Sequence, residues 1–207
     1  KYKKYIAFRV IGMGGSILGT QAIYDFLKDK IKKNFTFINN LGLKNYKIDK
    51  KKFVNLIVSK SGETIETIVN SNLIIKKKDK NIFITENKNT YLHILANKLK
   101  AEVVHHNNFI GGRYSVLSEV GMLPVELMGL SPNSFKQFNN LVKNKKFLNS
   151  LITNVNSILH FINKKKFNSI IINYDENSEN LLNWYQQLVA ESLGKKQRGV
   201  LPIISNM

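Results

Sequence analysis

The sequence predicts an α/β fold, an α/β/α sandwich of the doubly wound type with a parallel sheet covered by helices on both faces. Short apolar runs alternate with amphipathic stretches. The runs lack the polar alternation of a half-solvated sheet, and glycine-rich or hydroxyl-rich turns stand where they end. In such a fold, ligands belong at the carboxyl ends of the strands.

Taken in order, strands are expected over residues 6–11, 35–38, 53–58, 82–85 and 101–105, with helices over 17–30, 64–77 and 90–98 between them. After Arg113 the texture turns helical, over 114–129 and then 132–163, the latter broken by the polar residues 143–146. A strand over 169–174 and a helix over 178–192 read as the beginning of a second α/β unit. One strand and one helix cannot build a sheet, so the chain reads as a fragment of a longer protein. The expected division is a first domain over 1–130, a helical connection over 131–165 and an incomplete second domain over 166–207.

Composition narrows the function classes. No apolar run approaches the roughly 18 residues of a membrane span. The basic-then-apolar opening mimics a signal peptide, but Arg9 interrupts it and a glycine turn replaces a cleavage site. With no cysteine, disulfide scaffolds and thiolate chemistry are excluded, and a reducing cytoplasm is the compatible location. The net charge of +18 raises a nucleic-acid partner, yet the lysines fall in separate clusters at 50–52, 76–78, 143–146 and 164–166. Arginine, the residue suited to forked phosphate and base recognition, occurs only as Arg9, Arg113 and Arg198. The excess therefore reads as solvated surface, with neither nucleic acid nor membrane as partner.

Four motifs carry chemistry. Ser59-Lys60-Ser61-Gly62-Glu63-Thr64 closes the third run and opens a helix, so hydroxyls, an ammonium and a positive helix end converge as in a phosphate cradle. The same residue types also make ordinary turns and N-caps. It is not a Walker loop, because the G-K-[ST] ending is absent. Gly12-Met13-Gly14-Gly15-Ser16 after the first run lets backbone N–H groups approach a small ligand, with Ser16 as a donor. It does not complete a dinucleotide fingerprint, since Ile17 occupies the third glycine position and the next strand ends in Asn39-Asn40 without an acidic residue. Gly111-Gly112-Arg113-Tyr114-Ser115 places a permanent cation at another strand end, where it can hold an oxyanion. Finally, Gln187 and Glu191 stand one helical turn apart, ahead of Gly194 as the C-terminal cap. In an apolar setting at a helix C-terminus the Glu191 carboxyl is expected to resist ionisation, which suits a general base. The adjacent His105 and His106 point to opposite faces of a strand and make no metal pair.

Together and in this order, these motifs resemble the glucose-6-phosphate isomerase family, with Gln-x-x-x-Glu-Ser-x-Gly-Lys as the last of them. The resemblance spans nearly the whole chain. It implies sugar isomerase (SIS) domains, here one and the start of another, a homodimer, and interconversion of glucose 6-phosphate and fructose 6-phosphate without cofactor or metal. It also implies roles: Gly15 and Ser16 contacting the sugar; Ser59, Lys60, Ser61 and Thr64 holding the phosphate; Gln187 positioning substrate; Arg113 stabilising the enediolate; Glu191 moving the proton. The family also uses a histidine beyond the glutamate motif and a lysine near the C-terminus, neither of which lies in this chain, so the isolated chain is expected to be inactive. A non-catalytic sugar-phosphate regulator and a bifunctional phosphoglucose/phosphomannose isomerase remain the alternatives.

Overall fold

The computed structural model describes residues 1–2, 4–41, 52–196 and 199–206. Five parallel strands, β1 (Ala7–Gly12), β2 (Asn34–Ile38), β3 (Val54–Val58), β4 (Lys80–Thr85) and β5 (Glu102–His105), form one sheet in the order β2-β1-β3-β4-β5. The crossover helices are α1 (Leu18–Phe26) after β1, α2 (Ile65–Ile74) after β3 and α3 (Tyr91–Leu99) after β4. Lys50, Lys51 and Arg198, named among the basic residues, lie outside the described residues.

The uninterrupted apolar runs have a simple cause. Successive strand residues point to opposite faces, and both faces are buried. Phe8, Val10, Leu56, Val58, Ile82 and Ile84 join one core with Val120, Leu127 and Met128 of α4 (Glu119–Met128), against which Ile23 and Tyr24 of α1 also pack. Ile11, Ile57 and Phe83 join the other with Ile74 of α2 and Leu92 and Ala96 of α3. Phe8 and Phe35 stack at 4.8 Å between ring centroids, linking β1 to the edge strand β2. Arg9, which breaks the first run, lays its guanidinium 3.6 Å over the Phe53 ring.

The helix expected over 114–129 divides. A 3-10 segment (Gly112–Leu117) precedes Ser118, whose hydroxyl accepts from Val120 N and caps α4. Pro124 lies inside α4 and cannot donate to the carbonyl four residues back, that of Val120. The buried Thr20 hydroxyl of α1 donates to that carbonyl at 3.3 Å, so the proline leaves no orphaned acceptor and ties α1 to α4. The break expected near 143–146 is an N-cap: Asn144 accepts from Lys146 N and Phe147 N and starts α6 (Lys145–Asn163), separating it from the short α5 (Phe138–Val142).

The end of the chain corrects one expectation. Beyond β6 (Asn168–Asn173) and α7 (Glu179–Leu193), residues Leu201–Asn206 form β7, parallel to β6, so two strands rather than one build a small sheet. Leu201 N bonds Phe167 O, and by strand alternation the nitrogen of Pro202 faces away from β6, where no donor is needed. The short run and its proline hid the strand. Neither α6 nor α7 carries a fully buried residue, and Leu151, Val155, Ile170 and Ile172 are exposed. Among the described residues, no helix is long and apolar enough to cross a membrane.

Candidate active site

The strand order creates the site. From β1 the chain moves to β2 on one side, while β3 lies on the other, so the two crossovers leave a crevice outside the carboxyl ends of β1 and β3. Gly12 is in register with Val58, which makes the turns that follow them neighbours.

The turn after β3 shapes a cleft of about 620 Å³ lined by Ser16, Lys60, Ser61, Thr64, Glu86 and Lys88, with Glu63, Asn89 and Thr90 completing the wall. Thr64 is the N-cap of α2 by backbone geometry but makes no side-chain cap to the first turn. Its hydroxyl lies 3.0 Å from that of Ser59 instead, and Gly62 N donates to Ser59 Oγ at 3.2 Å. Gly62 sits at φ +68°, and a Cβ there would meet Thr90 Oγ1 at 2.1 Å, so the tight turn requires glycine. The result is an uncapped helix N-terminus opening onto a cleft with two ammonium groups nearby, a physical setting for an anion. Ser59 is 1% exposed and holds the turn together from beneath, outside the cleft lining, whereas Ser61 and Thr64 line it.

Lys60 Nζ donates to Asn108 O at 2.7 Å and stands 3.7 Å from Glu86 Oε1, while Lys88 pairs with Glu86 Oε2. Glu86 is only 4% exposed. The Lys88 hydrogen bond, aided by the Lys60 and Lys88 charges, holds its carboxyl below the usual glutamate range despite burial. Nothing in the sequence pattern separates Glu86 and Lys88 from ordinary loop residues.

The glycine turn after β1 joins this cleft to a second cluster. A Cβ on Gly15 would lie 2.3 Å from the Gly112 carbonyl carbon, so the two loops meet backbone to backbone, and Ser115 Oγ donates to Gly112 O at 2.7 Å. Beside that contact, Arg113 Nη1 stands 3.4 Å from Glu191 Oε2, and Gln187 Nε2 donates to Glu191 Oε1 at 2.7 Å. Gln187 overlies Gly14. Its Oε1 is buried and without a hydrogen-bond partner. Arg113 Nε donates to Ser192 Oγ at 2.9 Å, its guanidinium lies 4.7 Å over the Tyr114 ring, and its carbonyl accepts from Trp184 Nε1.

Thus Ser16, Lys60, Ser61 and Thr64 line the cleft with Ser59 beneath them, Gly15 packs on the backbone of Gly112 and Arg113, and Arg113, Gln187 and Glu191 form a second cluster beside that contact. One expectation is corrected. Glu191 does not sit in an apolar setting: its side chain is 48% exposed and its neighbours are a guanidinium and an amide. Its helical turn is the last of α7, which brings its carboxylate beside Arg113. Tyr114, Trp184 and Ser192 stand in or beside the sequence motifs, but their hydrogen-bond partners lie more than 70 positions away and only the fold brings them together. His105, the last residue of β5, is exposed, and His106 just beyond it is fully buried.

Fold and site define the class, a parallel-sheet α/β protein with a cleft suited to an anion at its strand ends. Its structure superposes on a hypothetical protein from Thermus thermophilus with a TM-score of 0.80 at 23% identity, covering 99% of this chain and 55% of the other. On tagatose-6-phosphate ketose/aldose isomerase from Escherichia coli the TM-score is 0.63 at 13% identity, covering 100% and 57%. At these identities the likeness is one of fold. The phosphoglucose isomerase family profile matches residues 3–200, and the chain belongs to that family. It is 32% identical to glucose-6-phosphate isomerase of Methanocaldococcus jannaschii over 99% of this chain and 55% of the relative. With the Mycoplasmopsis pulmonis glucose-6-phosphate isomerase the identity is 33%, over 93% and 51%. The chain spans about half the length of these relatives.

Proposed function

We propose that the protein interconverts glucose 6-phosphate and fructose 6-phosphate through an enediolate, with Glu191 as the base. The observation that carries this reading is the Arg113–Glu191 pair, held by Gln187 beside a cleft built for an anion. At 3.4 Å the pair is longer than the roughly 2.7–2.9 Å of a tight charge-assisted bond, so the two groups can part to engage a substrate.

The phosphate binds at the N-terminus of α2 with Lys60, Ser61 and Thr64, on the turn organised by Ser59, and so fixes the position of the reacting carbons. Gly15 and Ser16 form the sugar-facing turn, and Gln187 Oε1 accepts from a substrate hydroxyl. From the open-chain aldose, Glu191 takes the C2 proton; the C–H electron pair forms the C1–C2 double bond, and the carbonyl pair moves onto O1. Arg113 stabilises that oxyanion as it forms. The hydroxyl proton on O2 passes to O1 as the enediolate rearranges, and Glu191 returns its proton to C1, giving the ketose. Oxidation level is unchanged overall, so the reaction calls for no external redox cofactor.

The same reading divides the chain into a first SIS domain over 1–130, a helical connection over 131–165 and the opening of a second SIS domain from 166, in a cytoplasmic homodimer. A sugar-phosphate regulator would use the cleft but would gain nothing from pairing Arg113 with Glu191. Glu191→Gln in the intact protein tests this: binding of fructose 6-phosphate retained and turnover lost supports the enzyme, whereas an unchanged rate removes it. Relative rates on glucose 6-phosphate and mannose 6-phosphate separate the isomerase from a bifunctional enzyme.

A further inference from the structure

The shortest hydrogen bond described for the Arg113 guanidinium goes neither to Glu191 nor to a backbone carbonyl, but to the hydroxyl of Ser192, the residue after Glu191 on α7. Ser192 Oγ accepts from Arg113 Nε at 2.9 Å and lies 2.7 Å from Tyr114 Oη. A serine hydroxyl has one proton and two lone pairs, so it can receive the arginine and engage the phenol at once. Tyr114 in turn presents its ring beneath the guanidinium at 4.7 Å. Backbone and side chain of Arg113 are therefore both held by α7, through Trp184 on its carbonyl and Ser192 on Nε. Nη1, at the outer edge of the fork, stays directed toward Glu191.

We propose that Ser192 is a positioning residue: its hydroxyl, with the Tyr114 ring as a support, fixes the guanidinium where it meets the oxyanion formed as Glu191 takes the substrate proton. The proposal rests on the isomerase reading above. Placing the holder of the cation next to the base on one helical turn makes α7 set their separation, so small movements of the helix carry both groups together. The Tyr114 phenol reports the arrangement. The Ser192 hydrogen bond, followed by that of Arg113, lowers its ionisation below the usual tyrosine value.

In the intact protein, Ser192→Ala is expected to lower kcat roughly 10- to 100-fold while KM changes less than about threefold, because a displaced guanidinium costs alignment and the phosphate cleft is untouched. Ser192→Thr, which keeps the hydroxyl, is expected to recover most of the rate. In tyrosine-labelled protein followed by NMR, the Tyr114 phenol should titrate at higher pH in Ser192→Ala than in the wild type, a shift that lost packing alone would not produce. An alanine variant within twofold of the wild-type rate, a threonine variant as slow as alanine, or an unmoved Tyr114 titration overturns the proposal. Full turnover by Arg113→Met would instead remove the isomerase reading on which it rests.

Discussion

Arg113 Nη1 lies 3.4 Å from Glu191 Oε2, closing a gap of 78 positions in sequence and joining the loop after β5 to the end of α7. A cation and a carboxylate set this way can stabilise an oxyanion and accept a proton on neighbouring substrate atoms.

Arg113→Met should lower kcat about 100- to 1000-fold with a smaller change in KM, the size expected when one preorganised donor to a developing oxyanion is lost. Arg113→Lys keeps the charge but loses the Nε donor that Ser192 accepts, and should recover little of the rate. Steady-state kinetics on fructose 6-phosphate measure both, and a methionine variant impaired only in KM would assign the arginine to binding.

Lys60→Met should weaken inhibition by inorganic phosphate roughly 10- to 100-fold, the range for a lost hydrogen bond to a charged group. The helix N-terminus stays in place, so residual binding is expected. Equal inhibition constants for variant and wild type would place the anion elsewhere.

Glu86 makes stability depend on pH in a definite direction. Its carboxyl ionises below the usual glutamate value of about 4.3 when folded, so the folded state favours the charged form. The resulting stabilisation is fully present above that unfolded value and is lost as pH falls through the folded one. Thermal unfolding should show the wild type ahead of Glu86→Gln at pH 6, with the gap closing as pH drops below about 4. A gap that widens on acidification would contradict the assignment.

The sheet was legible because burial on both faces leaves strands such as Val54–Val58 almost wholly apolar, and the turns were legible because glycine and hydroxyl residues punctuate their ends. Chain order alone does not reveal that Gly15 packs on Gly112, that Lys88 neutralises Glu86, or that Ser192 receives Arg113, since each partnership is made by the fold rather than by a sequence pattern. Glu191 misled for the same reason. Helical spacing correctly placed it one turn from Gln187, but its apolar or polar surroundings depend on which neighbours the fold brings beside that edge of α7. Leu201–Asn206 escaped because six residues with a proline carry little strand signal without β6 beside them.

Gly15→Ala should destabilise the fold by about 1–3 kcal/mol, the usual cost of overpacking, because the added methyl group meets Gly112 and the Arg113 backbone below 3 Å. Since the displaced loop carries Arg113, turnover should fall along with the urea midpoint. A variant as stable and active as the wild type would show that the two loops do not need this close approach.

Whether Glu191 moves a proton between adjacent substrate carbons can be read by converting fructose 6-phosphate in heavy water with the intact protein and its Glu191→Gln variant. The wild type should place solvent deuterium at C2 of the glucose 6-phosphate formed, in at least a fraction of turnovers, while the variant binds fructose 6-phosphate and neither converts nor labels it. A Glu191→Gln protein that isomerises and labels its product at the wild-type rate would contradict that role of Glu191.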